Sequence, residues 1–123
     1  MKTNKEILDE FGQLVVENVY DDGVRYFYQI LDGTTKWNSG EKYTEIFKKL
    51  PEKEKLIAKE YIHDLVSTSI FAFLKILEEH PQFKLYYQNN GQKANLIEIS
   101  EMLKSEPIIE NGWIARFSKE LKK

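Results

Sequence analysis

The chain has 123 residues, a length expected to make one domain built on a single core. Apolar residues make up 41% and charged residues 31%, which excludes a disordered chain lacking the apolar surface to offset its entropy. With 18 basic and 20 acidic residues the net charge is −2, which excludes a strongly basic nucleic-acid binder, and the absence of cysteine excludes disulfides, thiolate zinc sites and a cysteine nucleophile.

Charges run through the first ten positions (Lys2, Lys5, Glu6, Asp9, Glu10), leaving no uninterrupted apolar stretch of the kind a signal peptide needs. Thr3-Asn4-Lys5-Glu6 has the form of a capping box, with Thr3 and Glu6 satisfying each other's backbone amides. Ile7, Leu8, Phe11, Leu14, Val15 and Val19 then follow at helical spacing. Lys2 and Lys5 are outnumbered by Glu6, Asp9, Glu10, Glu17, Asp21 and Asp22, so residues 1–22 carry −4 and the solvent face of the first helix is expected to be acidic.

Asp21-Asp22-Gly23 is expected to break or bend the chain before a short helix carrying Val24, Phe27, Tyr28 and Leu31, which Asp32-Gly33 ends. A loop over 34–40 contains Trp37. Asn38, three residues before Glu41, is the expected cap of a helix with Tyr43, Ile46, Phe47 and Leu50 as its stripe. Pro51 is expected at the first position of the next helix. From Glu52 to Glu79 there is neither Pro nor Gly, and Leu56, Ile57, Ile62, Leu65, Val66, Phe73, Leu74 and Leu77 mark a broad face expected to be buried. Such a helix would be about 40 Å long, with Ser67-Thr68-Ser69 as its weak point. The segment from Leu65 to Leu77 is too short and too polar to cross a bilayer.

Phe83 to Ile97 changes period. Asn90-Gly91 is a type I′ turn signal, and a two-residue loop there pairs Asn89 with Gln92, Tyr87 with Ala94 and Leu85 with Leu96. Turn register and apolar pattern agree, which predicts a hairpin. Asn95 and Glu98 begin a short helix through Ile99, Met102 and Leu103, and Pro107 ends that region. Asn111 is the expected cap of a last helix with Trp113, Ile114, Phe117 and Leu121 as its stripe. Lys119, Lys122 and Lys123 complement the negative end of its dipole. The fold class is therefore mainly α (α+β): one domain over 1–123, of about five or six helices with one β-hairpin near residues 83–97.

The two histidines give no recognisable centre. His63-Asp64 resembles the pair of metal-dependent phosphohydrolases without the further His and Asp ligands such a site needs, and reads as a solvated or helix-terminal histidine. His80 sits at a helix end, where an imidazolium is electrostatically favoured. No Gly-x-Ser-x-Gly elbow or Gly-rich phosphate loop occurs. No catalytic, cofactor or metal residues are assigned. Lys42 to Lys59 carries +3 but is interspersed with Glu45, Glu52 and Glu54, and reads as a mixed solvated face. Aromatic residues reach 13%. Most fit helical stripes, but Trp37 and Tyr43 lie in or just after a polar loop, where such side chains serve as binding anchors.

The stretches Asn95-Leu96-Ile97-Glu98-Ile99-Ser100 and Asn111-Gly112-Trp113-Ile114-Ala115-Arg116-Phe117-Ser118-Lys119, with Leu103 between them and Asp22 to Phe27 upstream, are similar to those of small uncharacterised bacterial proteins. Where those proteins are expected to have a Gly-Glu pair, this chain has Ser105-Glu106-Pro107. The resemblance implies a small bacterial domain of the toxin-neutralising kind and carries no catalytic residues. The expected function is a non-catalytic, cytoplasmic protein-binding domain of the immunity type. Its partner would be another protein such as a basic toxin domain, met by Glu6, Asp9, Glu10, Glu17, Asp21 and Asp22 together with Trp37 and Tyr43. An enzyme or small-ligand binder with an aromatic pocket, and a nucleic-acid-associated regulator, are the alternatives. Neither a cofactor nor a membrane is part of the expectation.

Overall fold

The structure, a computed structural model, describes residues 1–121. Lys122 and Lys123, expected to follow the last helix, lie outside the described residues. The fold is mainly helical with one antiparallel hairpin, as the periodicities predict. Helix α1 (Asn4–Val15) starts at the expected capping box: Thr3 Oγ1 accepts from the Glu6 amide at 3.1 Å, and the Thr3 amide donates to Glu6 Oε1 at 2.9 Å.

The expected break at Asp21-Asp22-Gly23 does not occur. A π-helical turn (Val16–Asp21) leads from α1 straight into α2 (Asp22–Asp32), and the chain leaves the helix only at Gly33, whose φ is +73°. The Asp21 carboxylate, read from sequence as a turn former, is instead bonded to the distant C-terminal segment. The wide turn brings Tyr20 and Asp21 into the interior together.

A 3-10 turn (Asn38–Gly40) introduces α3 (Glu41–Phe47), with Gly40 rather than Asn38 at its N-cap. Pro51 is the N-cap of α4 (Glu52–Glu79), one position earlier than expected. The helix is unbroken through Ser67-Thr68-Ser69, because Ser67 and Ser69 bond back to the carbonyls of Asp64 and Leu65 without displacing the helical ladder. It packs on α2, the π turn and the 3-10 turn at Leu103–Ser105.

Strands β1 (Tyr86–Asn89) and β2 (Gln92–Asn95) pair in the predicted register, Tyr87 opposite Ala94 and Asn89 opposite Gln92. Asn90 and Gly91 both have the positive φ that a type I′ turn requires. The Leu96 amide extends the pairing by donating to the Leu85 carbonyl at 3.0 Å. Asn95 then caps α5 (Leu96–Ile99) through the Ile97 amide. The last helix, α6 (Trp113–Phe117), is shorter than expected. Gly112 is its N-cap, and Asn111 sits in the left-handed region at φ 56°. It stops at Phe117 because Ser118 and Lys119 turn to bond Asp21, leaving Leu121 exposed outside the helix.

The core joins α1, the π turn and the start of α2 to Ile70 and Leu74 of α4 and to Leu96, Leu103, Trp113 and Ile114. Its largest member, Trp113, is 1% exposed. Its indole lies against the bare backbone of Gly12, where a Cβ would come within 2.5 Å of the ring carbons Cδ1 and Cδ2, and Phe11 meets it edge-on at 5.8 Å. The broad buried face expected of α4 is not formed. Among the described residues of that helix only Ile70 and Leu74 are fully buried, while Leu56, Ile57, Leu65 and Phe73 are exposed. The neighbouring elements cover one side of a long helix, and among the described residues no element lies over the other. No helix among the described residues is long and apolar enough to cross a membrane.

Gly12→Ala is expected to lower stability by about 1–3 kcal/mol through overpacking, and Trp113→Ala by about 3–5 kcal/mol through the lost core side chain. The two changes act on one contact, so the double variant should lose less than their sum. Urea unfolding of the four proteins checks this; a Gly12→Ala protein with the parent midpoint contradicts the packing.

Candidate functional site

The six carboxylates expected to form an acidic face are each engaged within the fold. Glu6 closes the capping box, which holds its carboxyl below the usual range. Asp9 accepts from Arg116 at 2.9 Å and from Lys5 at 2.6 Å, and the Arg116 bond in particular lowers its pKa. Glu10 pairs with Lys2, Glu17 accepts from Gln13, and Asp22 pairs with Arg25. Asp21 is 1% exposed, so it lies outside any docking face. Its two oxygens accept from Ser118 Oγ at 2.7 Å and from the Lys119 amide at 2.9 Å. These residues therefore tie the chain together, and Lys2, Lys5, Arg25 and Arg116 offset much of their charge.

Trp37 and Tyr43 are brought together and left in solvent, 55% and 42% exposed, with ring centroids 6.4 Å apart and planes tilted by 33°. They border a shallow hollow of about 310 Å³, rimmed also by the exposed Tyr26 and floored by Phe27, Ile30 and Phe47. Helices α2 and α3 fix that floor through the edge-on packing of Phe27 on Phe47. Lys42 lies 5.1 Å from the Tyr43 ring centre. Sequence reading did not include Tyr26; its neighbours Phe27 and Tyr28 are inward, and in a helix the residue before them turns outward.

A second surface is a groove of about 690 Å³ between the first helix and α4, lined by Phe11, Val15, Val19, Leu65, Phe73 and their neighbours. Ser69 supplies the sole hydroxyl in that lining, and it is bonded to its own helix. The signal for this surface was present in sequence. The doublets Leu56-Ile57, Leu65-Val66 and Phe73-Leu74 point about 100° apart on a helix, so one packing face cannot cover both members.

His63 is neither solvated nor terminal: it is half-buried in mid-helix and held by two phenols. Tyr20 OH bonds Nδ1, and Tyr28 OH bonds Nε2 at 2.7 Å. A neutral imidazole donates through one nitrogen and accepts at the other, so one tyrosine accepts and the other donates. Burial pushes Tyr20 up to about 12 and raises Tyr28 as well. Burial also lowers the pKa of His63, against the opposing pull of Asp21, Glu120 and Asp64. Both ring nitrogens are spoken for, and among the described residues no three His, Asp or Glu side chains are placed to hold a metal ion. The cluster locks α2 and the π turn to α4.

No protein-family profile matches the chain, and no curated protein or solved structure is significantly similar to it.

Because the folded chain binds the His63 proton more weakly than the unfolded chain, stability from this cluster is complete above pH 6.5, the ordinary histidine value, and falls as the pH drops through the folded pKa. The urea midpoint should decline from about pH 7 to about pH 5. A His63→Gln protein, less stable throughout, should show a flatter profile over that interval. Equal slopes in the two proteins would remove His63 from the acid response.

Proposed function

We propose that the chain is a non-catalytic protein-binding domain that docks a partner protein through the Tyr26–Trp37–Tyr43 ledge. The observation that carries this reading is the adjacent, solvent-exposed Trp37–Tyr43 pair beside a floor fixed by two helices. Tyr and Trp supply large contact area at low entropic cost and are enriched among the residues that dominate binding energy. Lys36 and Lys42 flank the pair in sequence, so the complementary surface is an apolar pocket rimmed by carboxylates.

The resemblance to small bacterial proteins supports a finer form of the proposal, in which the partner is a toxin and binding neutralises it by covering its working surface. The first helix gives little support to docking a basic toxin there, since its carboxylates are already paired or buried. A catalytic or small-ligand reading finds few converging polar groups in the apolar groove, and His63 has both nitrogens occupied.

The chain has two tryptophans, one exposed and one buried, so quenching of tryptophan emission by iodide reports Trp37. Capture from the source organism with the wild-type chain should yield a partner that shields Trp37 from the quencher on titration. Trp37→Ala and Tyr43→Ala should each weaken that complex at least about tenfold, the scale of hot-spot truncation. Glu10→Lys should leave it unchanged. Full retention of binding by both aromatic variants would refute the ledge as the docking site.

A further inference from the structure

The outer face of α4 carries an exposed stripe that is apolar apart from the Thr68 hydroxyl. Ile57, Tyr61, Leu65, Thr68, Ala72 and Ile76 follow one another at steps of four, four, three, four and four residues, all exposed. Tyr61 is 65% and the adjoining Phe73 67% exposed. Lys59 turns to the packed side over the Tyr28 ring, while Glu60, Asp64 and Lys75 flank the stripe, which at 1.5 Å per residue runs for about 29 Å. On one side it opens into the apolar groove against Val15 and Val19. Contiguous exposed apolar surface rimmed by charged residues is the mark of a protein interaction site.

We infer that this stripe is a self-association surface, on which α4 of one copy packs antiparallel against α4 of a second copy. Size and charge along the stripe are self-complementary about a two-fold axis placed between Thr68 and Ser69. That axis sets Leu65 opposite the small Ala72 of the second copy and Tyr61 opposite Ile76 of the second copy. The small side chains at Thr68, Ser69 and Ala72 let the helices approach closely at the centre. Asp64 and Lys75 lie on the same border of the stripe, and the axis brings Asp64 of each copy within one turn of Lys75 of the other. Within one copy Lys75 makes only a long contact to Glu79, at 3.8 Å with both side chains about half exposed, so it is available to turn across. A parallel pairing would leave Asp64 and Lys75 of the two copies on opposite borders and 11 residues apart along the helices, so no opposite charges would meet. The same arrangement roofs the groove beside Phe73. This surface is separate from the aromatic ledge, and the inference stands whether or not the ledge docks a partner.

Sedimentation equilibrium of the full chain tests it. The expected result is a concentration-dependent species at twice the 14.6 kDa chain mass. Leu65→Lys, at an exposed position, should keep the helical circular dichroism and raise the dissociation constant at least about tenfold. Asp64→Lys or Lys75→Asp alone should weaken the dimer several-fold by setting like charges together. The double variant, Asp64→Lys with Lys75→Asp, should restore affinity to near the starting value. A chain that stays monomeric at every concentration overturns the inference, as does a dimer indifferent to Leu65→Lys. Failure of the double variant to rescue the singles overturns the antiparallel arrangement.

Discussion

Gly12 leaves a bare length of backbone on α1, and the indole of Trp113 fills it more closely than any side chain there would permit. This contact fixes where the C-terminal segment crosses the first helix, and the polar bonds around it set the segment's direction. Arg116 reaches Asp9 on one side of the indole. Beyond it Ser118 and Lys119 reach the buried Asp21, and Glu120 reaches Arg25 at 3.2 Å. A buried carboxylate is tolerated only when its oxygens are bonded. The π turn that turns Asp21 inward and the segment that satisfies it therefore depend on each other.

With the C-terminal segment on one side of the continuous α1–α2 helix, α4 takes a neighbouring side, keyed by His63 between Tyr20 and Tyr28 and by Ile70 and Leu74 in the core. The hairpin and α5 close the end, with Gln92 accepting from the Lys2 amide at 3.0 Å and donating to its carbonyl at 2.8 Å. These contacts use one flank of α4. Among the described residues no further layer lies over the other flank, and its apolar side chains stay in solvent. The aromatic ledge has a different origin. The turn after α2 carries Trp37 past the end of the core, and α3 returns Tyr43 beside it.

Local patterns were the legible part of the sequence. The capping box at Thr3, the type I′ turn at Asn90-Gly91 with its register, the Asn95 cap and the long Gly- and Pro-free helix all depend on residues within a few positions of one another. Trp113 and Ile114 as core residues were legible for the same reason, since their stripe is local. What sequence did not disclose is set by partners distant in the chain. Asp21 looked like a turn former because its bonds to Ser118 and Lys119 span nearly the whole chain. His63 looked solvated because the two tyrosines that hold it lie 35 and 43 residues away. Asp9 looked free on its distal side because Arg116 lies 107 residues away. On α4, apolar spacing marked residues able to be buried, while the number of neighbouring layers decided which of them were. Trp37 and Tyr43 were legible as aromatics at a polar loop, and the approach of their rings is a product of the fold.

Native-state hydrogen exchange at the amides of Trp113 and Lys119 probes the closure most directly. The Trp113 amide donates to the Glu106 carbonyl and the Lys119 amide to the Asp21 carboxylate, both at 2.9 Å. If the C-terminal segment closes the core, both amides should exchange only through global unfolding, with the same opening free energy and denaturant dependence as the amides of Tyr20 and Val24. Exchange of Trp113 and Lys119 through a low-energy local opening, while Tyr20 and Val24 stay protected, would show a tail resting on a core that is complete without it.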